Sequence, residues 1–275
     1  MSILNETYTL YNGVKIPRVG FGTWQISNAE AYDAVTFALK AGYRHIDTAR
    51  AYGNEENIGK AIRNSKLDRE EIFITTKLPA EIKGFEEAID SFEKSVRRLG
   101  ITYLDLFLIH APWPWNDRGR DCTEGNIASW KGMEKLYREG KIRAIGISNF
   151  STSDIDAILN NCEFVPMVNQ IAIFIGHTQD ALTEYCRHHN ILVEAYSPLA
   201  TGSALKSEEI RKMAQKYGVS PARICIRYLL QKDLLPLPKS THPERIAENA
   251  ELEFTIRDED MRTLDAMIPD FRRGL

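Results

Sequence analysis

No stretch of the chain comes near the ~18 consecutive apolar residues that a membrane-spanning helix requires. MSILNETYTLYNG at the N-terminus has neither the basic start nor the apolar run of a signal peptide. These absences argue against membrane insertion and export, and a cytoplasmic location is expected. Cysteine is sparse: Cys122, Cys162, Cys186 and Cys225 are scattered, with no CxxC pair and no histidine at zinc-ligand spacing. They read as reduced thiols, and no metal is expected. An excess of one charge is missing as well, since 35 basic against 38 acidic residues leave a net −3. No global field attracts nucleic acid or anionic lipid, so any anion must be recognised locally. The dinucleotide fingerprint GxGxxG is also absent: GFG at 20–22 runs into TWQ. No linker-like or low-complexity tract divides the 275 residues.

What is present is an apolar fraction of 43% beside 27% charged residues, the balance of a globular protein with a filled core. YTLYNGVKIP (8–17) places Asn12-Gly13 between apolar flanks, which predicts a hairpin whose two turn residues both take positive φ. Beyond it, short apolar strands alternate with longer helical stretches. Strands are expected at 19–22, 43–47, 72–77, 103–110, 143–149, 166–170, 191–197 and 234–239. Helices are expected at 28–41, 54–65, 85–99, 123–139, 152–161, 178–189, 207–217 with 220–231, 243–250 and 258–268. Parallel neighbours need long return connections, so this alternation implies parallel strands with helical crossovers. An unbroken series of eight such units predicts an α/β fold, a (β/α)8 TIM barrel with an N-terminal β-hairpin, as a single domain over 1–275. A doubly wound open sheet is the alternative, disfavoured by the missing fingerprint.

Polar residues gather at the carboxyl ends of these strands: Asp47, Lys77, His110, Ser148 with Asn149, Gln170, Tyr196 with Ser197, and Lys239. In a barrel they would converge on one face, where barrel enzymes place their sites. Each has a bland reading. Asp47 could cap the following turn, Tyr52 could pack in the core with a bonded hydroxyl, and His110 could be a satisfied core histidine. A metal held by Asp47 and His110 is disfavoured by Lys77 in the same cluster. The joint pattern carries the functional reading.

GFGTW (20–24), HIDTARAYGNE (45–55), TTKL (75–78), DLFLIH (105–110), GISNF (146–150), VNQ (168–170), AYSPL (195–199) and PKSTHPERIAEN (238–249) occur in order over nearly the whole chain. In these motifs the sequence resembles the aldo-keto reductase superfamily, in particular its bacterial branch of diketogluconate and glyoxal reductases. The resemblance implies a catalytic tetrad of Asp47, Tyr52, Lys77 and His110 that reduces small aldehydes or ketones with NADPH. Such a reduction needs a hydride on carbon, from the cofactor, and a proton on oxygen, from the protein. A free tyrosine titrates near ~10; a neighbouring lysine is expected to lower that value, with Asp47 holding Lys77 charged and aimed. His110 can orient the carbonyl oxygen or stabilise developing charge.

The resemblance further implies that Lys239, Ser240 and Arg245 bind the adenosine 2′-phosphate and Glu248 and Asn249 the adenine. It assigns Ser148, Asn149 and Gln170 to the nicotinamide carboxamide, Tyr196 to stacking on the ring, and Thr23, Ser197 and Leu199 to the rest of the cofactor cleft. Lys and Arg beside a helix opening near Pro243 suit a phosphate. Thr241 and Glu244 have capping-box spacing, a local alternative that does not call for Lys239 or Arg245.

Two departures border the expected pocket: Ala111 follows His110 where relatives often carry tryptophan, and IAIFIG (171–176) replaces a glutamate and His-Pro pair. Trp24 and Trp113 are the candidate pocket walls. The given sequence ends at FRRGL without a long extension, which suggests a comparatively open pocket. A monomer is expected. A nucleotide-binding regulatory subunit with little turnover and a barrel hydrolase or isomerase are the competing readings.

Overall fold

The structure, a computed structural model, describes residues 2–268. Strands β1 (Thr7–Thr9) and β2 (Lys15–Pro17) pair antiparallel, Thr9 facing Lys15. The Leu10 amide donates to the Val14 carbonyl at 2.9 Å and the Gly13 amide to the Leu10 carbonyl at 2.8 Å. Of the Asn12-Gly13 pair, Gly13 alone takes a positive φ, +86°. A three-residue loop with one left-handed glycine thus replaces the expected two-residue turn. The Asn12 side chain has other work: it accepts from the Val14 amide at 3.2 Å and donates to the Arg143 carbonyl at 3.0 Å, tying the hairpin to the main sheet.

After the hairpin, strand and helix alternate as β3 (Phe21–Gly22), α1 (Asn28–Lys40), β4 (His45–Asp47), α2 (Glu55–Asn64), β5 (Phe73–Leu78), α3 (Phe85–Leu99), β6 (Leu104–Ile109) and α4 (Thr123–Arg138). The series continues with β7 (Ile142–Ser148), α5 (Thr152–Asn161), β8 (Val168–Ala172), α6 (Asp180–His188), β9 (Leu192–Tyr196), α7 (Glu208–Tyr217), α8 (Pro221–Gln231), β10 (Leu235–Leu237), α9 (Pro243–Glu248) and α10 (Asp258–Asp265). Strands β3 to β10 form one parallel sheet of eight in sequence order. Its edges meet through the Gly20 amide on the Pro236 carbonyl (3.1 Å) and the Gly22 amide on the Pro238 carbonyl (2.9 Å), which nearly close the barrel. A side chain at Gly20 would lie 2.4 Å from Leu237 Cδ2 and 2.7 Å from His45 Nδ1, so the seam needs a residue without one. The expected barrel with its hairpin is observed.

Boundaries move where proline removes a donor. The strand expected from Pro166 starts instead at Val168, and the last strand shrinks to the three residues around Pro236. Every residue of β5 and β6 is buried, as for parallel strands between a filled interior and covering helices. The one carboxylate in β6, Asp105, is satisfied by Arg69 and Arg143 at 2.7 Å each and by the Ile74 amide at 2.9 Å. Trp130 on α4 is fully buried, its indole N–H on the Phe164 carbonyl at 3.1 Å. The last expected helix ends at Asp265 rather than 268, and FRRGL lies outside the described residues. Among the described residues no helix is long and apolar enough to cross a membrane.

Candidate active site

At the carboxyl ends of the strands lies a cavity of about 840 Å³. The neighbouring register of β4 and β5 sets its floor: Asp47 ends one strand and Lys77 lies near the end of the next. Lys77 Nζ lies 2.8 Å from both Asp47 oxygens, donates to the Thr48 carbonyl at 2.9 Å and reaches the Tyr52 hydroxyl at 3.4 Å. Lysine and aspartate are both buried. Burial pulls the lysine's pKa down, but Asp47 and Tyr52 more than offset it and the ammonium is held above its ordinary value.

Tyr52 comes from a single helical turn, Arg50–Tyr52, between β4 and α2. The turn is anchored from behind by Asn54. Its side chain bonds the Thr23 and Ile26 carbonyls at 3.0 Å and accepts from the Thr48 hydroxyl at 2.9 Å, while Glu55 accepts from Thr76 at 2.7 Å. These two polar residues of the HIDTARAYGNE motif are therefore scaffolding. Burial pushes the Tyr52 phenol up to about 12, outweighing the downward pull of Lys77. The expected net lowering is not found: lysine acts in the expected sense, but desolvation is the larger effect. The phenol holds its proton at neutral pH.

His110 follows the last residue of β6 and is 7% exposed. Its ring meets Tyr52 edge-on at 5.6 Å and Trp115 at 5.3 Å, and its Nδ1 is buried without a hydrogen-bond partner. Burial first and Lys77 second hold its pKa well below 6.5, so the imidazole is neutral.

The residues expected to hold the cofactor mostly line the same cavity: Ser148, Asn149, Gln170, Tyr196, Ser197, Leu199, Lys239, Ser240, Arg245, Glu248 and Asn249. Asn149 and Ser197 stand just beyond β7 and β9 with φ of +61° and +54°, conformations that non-glycine residues rarely adopt and that gather at functional sites. Asn149 donates to the His110 carbonyl at 3.0 Å and accepts from the Tyr196 hydroxyl at 2.6 Å, which links the ends of β6, β7 and β9 at the cavity. The Gln170 amide donates to Asp47 at 2.8 Å and to Glu194 at 2.7 Å, leaving its carbonyl oxygen for the pocket. Glu194 is wholly buried, and its second oxygen lies 3.9 Å from His45 without a hydrogen bond.

Thr23 is not at the cavity wall; its hydroxyl donates to the Asp47 carbonyl at 2.9 Å, so it braces the turn behind the site. Trp24 lines the cavity and Trp113 does not. Trp113 packs edge-on behind Trp115 at 5.2 Å, and Trp115 is the wall. The Ala111 departure is thereby explained: Ala111 is buried, and the ring against the imidazole arrives from further along the loop. The segment 171–176 turns inward, with Ile173 and Ile175 buried and Phe174 stacked on His177, and does not line the cavity. His242, not Thr241, precedes α9, and its side chain makes no cap bond, so the capping-box alternative is not realised. Among the lining residues that sequence reasoning missed are Gln25, Ala51, Trp115, Arg118, Gly202 and Leu205. Trp115 and Arg118 stood in the loop stretch rich in Pro and Trp, and that composition was the available signal.

The four cysteines are free, and among the described residues no cluster of three metal-ligating side chains occurs.

Comparison with known proteins agrees in extent. The profile of the Aldo/keto reductase family matches residues 18–269. A glyoxal reductase of Bacillus subtilis is 42% identical over 273 residues, covering 98% of this chain and 96% of that protein. A crystal structure of an aldo/keto reductase from Brucella melitensis superposes with a TM-score of 0.89 at 40% identity, covering 94% of this chain and 97% of that one. A Bombyx mori aldo-keto reductase in complex with NADP gives 0.87 at 33% identity, covering 94% and 92%.

Proposed function

Because the chain belongs to the aldo/keto reductase family, we propose that Tyr52, Lys77, Asp47 and His110 are its catalytic residues and that Tyr52 is the proton donor. The protein is an NADP-dependent oxidoreductase that reduces small aldehydes or ketones to alcohols. The observation that carries the residue assignment is the contact of the buried Lys77 Nζ with both Asp47 oxygens and the Tyr52 hydroxyl, beneath a cavity that Asp47, Tyr52 and His110 line.

The cofactor fits the donor set. The cavity runs from the tetrad to Lys239 and Arg245, and at about 840 Å³ it lies in the range of ligand sites. Bound NADPH supplies the hydride to the carbonyl carbon. The side chains do the rest. Lys239, Ser240 and Arg245 would take the 2′-phosphate, and Glu248 and Asn249 the adenine. Ser148, Asn149 and the Gln170 carbonyl would hold the carboxamide, and Tyr196 would stack on the nicotinamide. Ser197 and Leu199 line the cleft between, and Trp24 with Trp115 walls the substrate.

The neutral His110 imidazole donates to the carbonyl oxygen and orients it beside Tyr52. As negative charge grows on that oxygen, the Tyr52 Oη proton moves to it. An alkoxide is a stronger base than a phenolate, so a phenol of raised pKa still gives up its proton, and Lys77 stabilises the phenolate that results. Asp47 keeps the ammonium aimed. A net charge of −3 gives no global field to attract nucleic acid, and the protein is read as a cytoplasmic monomer. The regulatory-subunit reading is not favoured, since it has no use for an assembled tetrad.

The test is NADPH consumption with methylglyoxal and a nitrobenzaldehyde, for wild type and Tyr52→Phe. Turnover that falls at least ~100-fold with NADPH affinity retained supports the assignment. Undiminished turnover in the variant removes Tyr52 from the role.

A further inference from the structure

The charged residues lining the cavity divide by position. Lys239, Arg245 and Glu248 stand at the end after β10, and Asp47 is neutralised by Lys77. At the catalytic end one charge is left, Arg118. Its guanidinium carbon sits 5.5 Å from the ring centre of Trp115 and 5.7 Å from that of Trp113. No carboxylate among the described residues forms an ion pair with it. Asp117, the residue before it in the chain, forms no ion pair with it, while Asp121 accepts from the Thr123 amide at 2.9 Å and Glu81 from the Trp115 amide at 3.4 Å.

The loop that carries it is pinned at its base. Lys83 Nζ donates to the Ala111 carbonyl at 2.7 Å, and the Asn126 amide donates to the Pro112 carbonyl at 2.8 Å. Two tryptophan faces then hold the guanidinium laterally, leaving its N–H fork unspent. Trp115 meets both His110, at 5.3 Å between ring centres, and Arg118, whose guanidinium carbon is 5.5 Å from its ring centre. A ligand whose carbonyl sits at His110 and Tyr52 therefore passes one aromatic wall before it meets the cation.

We propose that Arg118 is the recognition element for a carboxylate on the substrate, and that the preferred substrates are carbonyl compounds bearing a carboxylate several atoms from the reacting carbon. The proposal rests on the reductase reading above and specifies its substrate class. A planar fork matches a carboxylate with two parallel hydrogen bonds. The aromatic wall between the two points selects a flat or extended spacer. Because the anion stays near solvent, its contribution is modest and screened by salt.

The experiment compares terephthalaldehydic acid with its methyl ester, which share ring and aldehyde and differ in charge, as substrates of wild type, Arg118→Met and Arg118→Lys. The readout is the ratio of kcat/KM for acid over ester. Wild type is expected to prefer the acid, the methionine variant to lose on the order of tenfold in that ratio, and the lysine variant to retain part of it. Raising ionic strength should shrink the wild-type ratio and leave that of the methionine variant unmoved. A ratio that is the same in wild type and Arg118→Met, or a wild-type preference for the ester, overturns the proposal while the reductase reading stands. Reduction of neither compound, nor of methylglyoxal, by wild type overturns both.

Discussion

Replacing Glu194 by glutamine should make the protein more stable, and increasingly so as pH rises. The carboxyl lies inside the barrel at 0% exposure, with one oxygen on the Gln170 amide and the other lacking a hydrogen bond. Desolvation first, then the nearby Asp47 charge, push its pKa from 4.5 to about 8, against smaller downward pulls from Gln170 and Lys77. His45 gives no compensating cation, because burial lowers its own pKa to about 3. Tenfold in acidity corresponds to about 1.4 kcal/mol, so carrying the carboxyl that far costs at most roughly 5 kcal/mol.

The folded pKa is the raised one, so the native state binds more protons than the unfolded chain between those values. Stability from this group is fully present below about 4.5, drains away as pH rises to about 8, and is level beyond. Glutamine keeps the acceptor for Gln170 and cannot ionise. Urea unfolding of both proteins at several pH values across that interval is the assay. The advantage of Glu194→Gln should grow by a few kcal/mol between its ends. A difference independent of pH would show that Glu194 ionises alike in the folded and unfolded chain, and would refute the reasoning.

Lys77→Met should abolish measurable reduction and destabilise the fold by about 3–5 kcal/mol, because it strands the buried Asp47 carboxylate; turnover and urea midpoints check both. Arg245→Gln should raise the dissociation constant for NADPH by on the order of tenfold and leave that for NADH unchanged, as fluorescence titration would show. With His110 held neutral well below 6.5 and Tyr52 protonated up to about 12, kcat/KM for reduction should show no histidine-type inflection near neutral pH. A bell centred there would require a charged imidazole. Gly20→Ala should cost about 1–3 kcal/mol by crowding Leu237 and His45 at the barrel seam, measured as a shift in thermal midpoint.

The alternation of apolar strands with amphipathic helices was legible because a parallel strand buried on both faces has a period and length unlike those of its crossover helix. Helix α5 begins as read, since Ser151 and Asp154 form a local capping box that needs no distant partner. Asp47, Lys77 and His110 stood out in sequence as polar residues at strand ends, while Tyr52 was singled out beside Asp47 and through the resemblance, and the barrel brings these side chains together. The remainder depended on contacts across long separations. Which tryptophan walls the site was decided by how loop 111–121 is pinned by Lys83 and Asn126, so Trp115 and not Trp113 meets His110. That Tyr52 is raised and not lowered follows from the water its surroundings exclude, a quantity absent from any local motif. Glu194 looked like one more strand residue until the barrel brought it to Gln170, itself bonded to Asp47 from 123 positions away. Residue type and local period thus determined the elements and the chemistry available, while burial and through-space electrostatics, which exist only once the barrel closes, decided how each group is charged and where it points.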